Sequence, residues 1–321
     1  MTSKERVIKA IRGEQVDRTP IYGWVSANLK DEISAIYGSV AAFEDAYEFD
    51  AAHIFGAPQP HRKDTIEALK EKYEELTPDI LLEEKWRIPV SEGKWKSVDA
   101  ALEHHRARHR FCYLQTPGFF EYFNSIFGIE NQLMYLLLYT DEIAELYRQQ
   151  ADWLIDFADA AIERGVDCIH ISDDWGAQKD LLFSPQLWMD LIRPNLKRVI
   201  DHIHGKDCLV SLHSDGCINK LTDEIASLGF DMVHPWQESA GMSYDTYLEK
   251  YSDKFAILGG VCIQTLLGIA PPEKLESEIR RVFKTLKGKR WICCTTHYVQ
   301  KHCSMDDLKL AFDLVYKLAR E

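Results

Sequence analysis

The sequence predicts an α/β protein, specifically a (β/α)8 TIM barrel built from a single domain. Two observations predict this fold. Short apolar runs alternate with amphipathic stretches, most regularly in the second half of the chain. About eight such runs occur, and they are apolar on both faces, as parallel strands covered by helices are. The length of 321 residues allows two domains, but one barrel of this class reaches that size.

An amphipathic helix opens the chain, with Val7, Ile8 and Ile11 at helical spacing and Gly13 near its end. The polar stretch between 62 and 108, rich in Lys and Glu, predicts an excursion or lid packed on the barrel in the first third of the chain. The predicted strands are 21–25, 51–55, 111–114, 166–172, 208–213, 231–234, 255–259 and 291–296. The predicted later helices are 140–162, 186–203, 218–228, 272–286 and 306–318.

Composition and charge exclude several classes of function. The chain has 38 Lys and Arg against 51 Asp and Glu, a net charge of −13, and no basic run. It therefore repels phosphate, and neither nucleic acid nor a membrane surface is expected as a partner. No G-x-G-x-x-G or Walker pattern supports a nucleotide site. The eight cysteines form no C-x-x-C pair, and the N-terminus has no apolar signal core, so a cytoplasmic protein with reduced thiols is expected.

Polar side chains follow the late strands, where a barrel of this class carries its chemistry. Each of these strands is followed by an ionisable or metal-competent residue at the same predicted rim. The groups are Asp173-Asp174-Trp175, His213-Ser214-Asp215, His234-Pro235-Trp236-Gln237, Cys262-Ile263-Gln264 and His297-Tyr298.

His213 and Asp215 stand two residues apart, so both side chains point to one face at the end of a strand. His297, which follows a later strand, could provide a third ligand to the same point from another direction. Three protein ligands with one open position are typical of a catalytic zinc site. The alternative is that both histidines only form hydrogen bonds with loops, because ligand spacing across separate strands is weakly specific.

Asp173 and Asp174 are the candidate catalytic acids, which orient the substrate or supply a proton. Neighbouring side chains point in opposite directions, so one of them is expected to face the pocket, and capping of a helix is the alternative. The predicted substrate-binding residues are Trp175, Trp236, Gln237, Gln264 and Tyr298. The aromatic members of this set could stack on a substrate ring or serve only in packing.

A set of motifs extends over nearly the full length of the chain: Glu5-Arg6-Val7, Gly13, Val16-Asp17-Arg18-Thr19-Pro20, Ser172-Asp173-Asp174-Trp175-Gly176, Ser184-Pro185, Leu212-His213-Ser214-Asp215-Gly216, Pro235, Gln237, Gly259-Gly260 and Gln264. By this set the chain resembles the uroporphyrinogen decarboxylase-like family. This family includes the decarboxylase and zinc methyltransferases that act with corrinoid proteins, and the resemblance implies a (β/α)8 barrel.

The resemblance also separates the two branches of the family. The decarboxylases carry an arginine-rich loop after the entry motif and an aspartate after the second strand. Here the equivalent residues 22–28 include no arginine, and residues 54–58 include no acid. A substrate with many carboxylates needs cationic partners, so uroporphyrinogen decarboxylation is not expected.

The corrinoid-linked methyltransferases bind zinc through a His-x-Cys pair and a later Cys. His213 matches the first ligand, whereas Asp215 and His297 stand in the places of the two cysteines. Cys262 on an adjacent predicted strand could restore one sulfur ligand. Imidazole and carboxylate ligands leave zinc a harder Lewis acid, which suits an ether or hydroxyl oxygen better than a thiolate.

These expectations predict a zinc-dependent methyltransferase that moves a methyl group from a methoxylated aromatic or related donor to a corrinoid carried by a separate protein. Three alternatives stay open. The first is methylation of a thiol or folate acceptor from the corrinoid. The second is metal-independent decarboxylation of a small carboxylic acid by Asp173 and His213, and the third is a non-catalytic binding subunit. A homodimer also stays open.

Overall fold

The computed structural model describes residues Met1–Glu321 and alternates strands with helices along the chain. In chain order the elements are α1 Ser3–Arg12, α2 Lys30–Tyr37, α3 Val40–Ala46, β1 Ala51–Ile54, α4 Lys63–Lys72, α5 Pro78–Glu83, α6 Lys96–Arg106, β2 Phe111–Pro117, α7 Phe120–Phe127, α8 Ile129–Leu138, α9 Thr140–Glu163, β3 Cys168–Ser172, α10 Pro185–Leu187, α11 Arg193–His204, β4 Leu209–His213, α12 Thr222–Leu228, β5 Met232–His234, α13 Tyr244–Lys250, β6 Ala256–Val261, α14 Pro272–Leu286, β7 Trp291–Thr295 and α15 Met305–Arg320.

The strands form a seven-stranded parallel sheet, in which the order β1 to β7 is the order of the chain. This is the alternation that a TIM-barrel-like α/β fold requires, so the predicted class is confirmed at that level. The chain divides into two compact units. The first unit comprises Met1–His53, Glu103–Cys112 and Asp231–Glu321, and the second comprises Ile54–Leu102 and Tyr113–Phe230. That the whole chain is one domain stays a prediction.

The first predicted strand, 21–25, is reduced to a single bridge in the first unit. Ile21 pairs in parallel with Cys293 of β7, and on its other side its carbonyl accepts the N–H of Asp50 at 2.7 Å. The segment thus lies between β7 and the start of β1, where an eighth strand belongs. The N–H of Val25 turns back to the carbonyl of Gly23 at 3.1 Å, which ends the extended pairing. The expected eight strands are therefore seven strands and one bridge.

The charged entry motif serves a structural purpose in this unit. Arg6 bonds Asp17 and Asp50 at 2.6 Å each, and Arg18 bonds the other oxygen of Asp50 at 2.6 Å. The fully buried Asp50 also accepts the N–H of Ile21 at 2.8 Å. The two guanidinium groups satisfy a carboxylate that burial alone would make costly.

The second unit contains β2, β3 and β4 in parallel register, with β3 buried on both faces. The polar excursion folds as α4, α5 and most of α6 in this unit. It packs on α9, because the Trp95 ring lies 5.3 Å from Phe157 and the Trp153 indole donates to the Ile88 carbonyl at 2.9 Å. Ser184 caps α10, as its position before a proline predicts. In the whole chain no helix combines the length and the apolar character needed to cross a bilayer.

Candidate functional site

The loops after β3 and β4 are tied together in the second unit. Ser172 pairs in register with His213, and the N–H of Asp173 donates to the His213 carbonyl at 2.9 Å. Farther along, the N–H of Asp215 donates to Asp174 Oδ1 at 2.7 Å. A β-carbon on Gly176 would lie only 2.7 Å from the Asp215 carbonyl oxygen, so this close approach requires glycine. The two strand ends therefore hold their polar side chains in fixed positions.

His213 lies between two carboxylates at this position. Its Nε2 is 3.7 Å from Asp174 Oδ1 and 3.7 Å from Asp215 Oδ1. Burial lowers the pKa of His213, and the Asp174 charge opposes this change. The imidazole is thereby kept neutral, which is the form that binds a metal.

The donor atoms of this cluster fit a metal ion. Zinc ligands at about 2.0–2.1 Å in tetrahedral geometry lie about 3.3 Å from one another. The distances of 3.7 Å around His213 Nε2 are close to that value before any ligand has moved. Within the second unit, His213, Asp215 and Asp174 can therefore contribute ligands. The sequence pattern marked Asp174 as a catalytic acid and not as a ligand.

The two adjacent acids separate into different environments. The Asp173 carboxylate is fully buried and accepts the N–H of Glu121 at 2.7 Å at the amino end of α7. Burial raises the pKa of Asp173 to about 6, and backbone N–H groups of residues 119–121 oppose the rise. Asp173 thus accepts at the amino end of α7, a helix that precedes β3, whereas the structural alternative was a cap on the following helix; Asp174 faces His213.

A cleft of about 240 Å³ opens in the second unit beside this cluster. Ser172, the register neighbour of His213, lines it and donates to the Glu121 carboxylate at 2.8 Å. Burial, together with the negative charge of Asp174, raises the pKa of Glu121 to about 7. This carboxyl can therefore hold a proton near neutral pH.

Sequence analysis missed Glu121 because it lies in the first turn of a helix rather than directly after an apolar run. Extending the search for polar residues by one helical turn beyond β2 would have found it.

Two of the predicted stacking residues are packed away. Trp175 is fully buried with its ring 5.3 Å from Trp188. Trp236, which is 1% exposed, lies among Tyr247, Tyr251 and Phe255 in the first unit, and its indole donates to a backbone carbonyl. Neither ring has a face open to a ligand in this structure. Large aromatic residues most often fill cores, which was the alternative for both.

His297 and Tyr298 are half-buried after β7 in the first unit. Their rings lie 4.1 Å apart, and the Trp24 ring lies 5.0 Å from His297 and 5.4 Å from Tyr298. Trp24 belongs to the segment that was predicted as the first strand, and nothing in its pattern marked it as a site residue. The structure therefore places the Trp24 ring next to the predicted ligand His297 and the predicted substrate-binding residue Tyr298.

The three remaining predicted residues meet around Ser239 in the first unit. Gln237 Nε2 donates to Ser239 Oγ at 3.0 Å, and that oxygen lies 3.3 Å from Gln264 Oε1 and 3.6 Å from Cys262 Sγ. Cys262 and Ser239 line a separate cleft of about 350 Å³ that also contains Arg281. The predicted ligands are thus distributed over the chain, with His213 and Asp215 in the second unit and His297 and Cys262 in the first.

Comparison with known proteins gives three results. A family model described as uroporphyrinogen decarboxylase (URO-D) matches residues 120–318. A uroporphyrinogen decarboxylase from Ruthia magnifica subsp. Calyptogena magnifica is 23% identical over an alignment of 185 residues that covers 55% of this chain and 49% of that protein, so the match spans about half the length of this curated relative. A methyltransferase from Methanosarcina mazei superposes with a TM-score of 0.72 at 16% identity and covers 98% of both chains. At this identity, the likeness shows a shared fold.

Proposed function

The chain belongs to the uroporphyrinogen decarboxylase (URO-D) family, and from this premise we propose that it is a zinc-dependent methyltransferase. It moves a methyl group from a methoxylated aromatic compound or a related O-methyl donor to a corrinoid carried by a separate protein. The observation that carries the proposal is the position of the His213 imidazole between Asp174 and Asp215, together with a cleft at the end of β3 that contains a carboxyl able to hold a proton.

His213, Asp215 and the sequence-predicted His297 would hold the zinc, whereas Cys262, the fourth predicted ligand, would keep its contact with Ser239. When bound, zinc supplies a Lewis acid that stabilises the negative charge developing on the oxygen that loses its methyl group. Asp174 fixes the Asp215 loop through its hydrogen bond and faces His213, so it positions the ligands. Asp173 holds the first turn of α7 and thereby positions Glu121.

Glu121 would supply the proton that the reaction needs. The carbon–oxygen bond of the donor breaks, and its electron pair stays on oxygen. The methyl group would pass to the reduced corrinoid of the partner, which would supply the electron pair of the new bond, and the oxygen would take the proton of the Glu121 carboxyl. A carboxyl with a pKa of about 7 is suited to this transfer, since it is protonated in a useful fraction of molecules near neutral pH.

The alternatives fit the site less well. None of the residues that line the cleft is Lys, Arg or His, so a porphyrinogen with many carboxylates finds no cationic partner there. The absence of a cationic lining residue also disfavours the decarboxylation of a small carboxylic acid. Methylation of a thiol acceptor is disfavoured because Asp215 and His297 stand where the methyltransferases of the family carry thiolates.

The test is an assay of the purified protein with a reduced corrinoid protein and methoxylated aromatic compounds. We expect free phenol and methylated cobalt to appear together in equal amounts. Release of carbon dioxide from a small carboxylic acid, with no methylated cobalt from any donor, would replace this proposal by the decarboxylase alternative.

A further inference from the structure

The cleft in the second unit is lined almost entirely by uncharged residues. Its polar residues are neutral except for Glu121, and they include Gln59, Gln115 and Ser172. Resting on the function proposed above, we propose that this cleft binds the methyl donor as an uncharged aromatic ether and rejects aromatic carboxylates.

An aromatic platform lies at the cleft. Phe55 follows β1, is 41% exposed and is the one aromatic residue among the large apolar side chains exposed in the chain. A single exposed aromatic ring is unremarkable on a surface, but here it lines a cleft, whose wall also includes the buried Tyr122 side chain. Rings in such positions stack on planar ligands. The volume of about 240 Å³ lies below the usual range of about 300–1,000 Å³ for drug-sized ligands, so a single substituted ring is the expected occupant.

Negative charge surrounds the Glu121 carboxyl. Asp174, Asp173 and Asp215 all act on it electrostatically, and Ser172 donates to it. A substrate carboxylate in the cleft would meet this carboxylate without a cation from the lining residues.

A bound zinc ion would not make the surroundings of the cleft positive. Held by two imidazoles and one carboxylate, the ion retains a single net positive charge, which the carboxylate of Asp174 next to His213 cancels. When Glu121 is ionised, an incoming carboxylate meets its negative charge, and when Glu121 holds its proton, the lining still offers that carboxylate no cation. Uncharged ethers need no cation and avoid the repulsion.

Calorimetric binding of two probes that differ by one carboxylate tests the inference. The probes are 2-methoxyphenol and 4-hydroxy-3-methoxybenzoate, measured on the full-length protein as purified at about pH 8.5, where Glu121 is ionised. We expect the uncharged probe to bind at least about tenfold more tightly, which corresponds to about 1.4 kcal/mol. Glu121→Gln should reduce this ratio by strengthening the binding of the carboxylate.

Two further variants complete the experiment. Phe55→Ala should weaken the binding of both probes by a similar factor of about five, because it removes stacking and leaves the charge of the cleft unchanged. Glu130→Gln, an exposed acid on α8, is the matched control and should leave the ratio unchanged. Equal or tighter binding of the carboxylate by the unaltered protein, or no binding of either probe, would overturn the inference.

The binding assay needs no corrinoid protein and no turnover. Selective binding without methyl transfer would therefore overturn the proposed function alone, and methyl transfer from carboxylated donors without preference would overturn this inference alone.

Discussion

The hydroxyl of Ser172 donates a hydrogen bond of 2.8 Å to the carboxylate of Glu121. Ser172 is the last residue of β3 and the register partner of His213, so this bond connects the cleft to the proposed zinc ligands. Glu121 is in turn fixed from its backbone, since its N–H donates to Asp173. The proton-holding carboxyl is thus positioned by two residues of one strand end.

Glu121→Gln should change how stability depends on pH. The ordinary pKa of this carboxyl is 4.5, and the folded protein raises it to about 7, so the folded state binds the proton more tightly than the unfolded chain. The unaltered protein therefore loses stability as the pH rises from 4.5 to about 7 and loses no more above that range. Glutamine does not titrate, so the stability of the variant should not fall over this pH range for that reason.

The measurement is chemical denaturation of both proteins at about pH 5 and about pH 8. We expect the variant to gain stability relative to the unaltered protein at the higher pH, by on the order of 2 kcal/mol, since a tenfold change in proton affinity is worth about 1.4 kcal/mol. Glu130→Gln, which is exposed, should show no such gain. A stability difference that is the same at both pH values would contradict the raised pKa.

Variants of Asp173 separate a structural role from a catalytic one. Asp173→Ala removes the cap of α7 and leaves buried N–H groups without an acceptor, so we expect a loss of about 2 kcal/mol in the free energy of unfolding. Asp173→Asn keeps an acceptor oxygen and should retain more of both stability and methyl transfer. A stable Asp173→Asn protein with no methyl transfer would instead make Asp173 a catalytic acid, as the sequence first suggested.

Zinc content distinguishes the proposed ligands from nearby residues of the same type. His213→Ala and His297→Ala should each lower zinc affinity by more than about 100-fold, the upper range for loss of residues that only support the ligands. His302→Ala, an exposed histidine in the loop beyond His297, is the control and should retain zinc. Metal analysis after dialysis against a weak chelator measures the difference.

Cys262→Ser extends this test to sulfur. Serine preserves a polar contact with Ser239, so we expect the variant to retain zinc. Loss of the metal in this variant alone would assign Cys262 as a ligand and would favour thiol chemistry.

Periodicity predicted most of the fold. Seven of the eight apolar runs are strands, and the amphipathic stretches between them are helices. Strands buried on both faces appear as continuous apolar runs, whereas helices buried on one face show apolar residues at a helical period. The strand predicted at 21–25 is only a bridge because its pairing depends on how the chain turns at Gly23. Close packing against Phe312 fixes the position of Gly23. A run of apolar residues does not record such a contact.

The sequence by itself determined the α/β class and the polar residues at the strand ends. Only the tertiary structure decided which acid of the pair 173–174 faces His213, that Trp236 is packed away, and that Glu121 holds its proton near neutral pH. The physical reason is that residue type and spacing are local properties. Burial and the field of neighbouring charges, which set the pKa of Glu121, arise from segments about 50 residues apart in the chain that folding brings together.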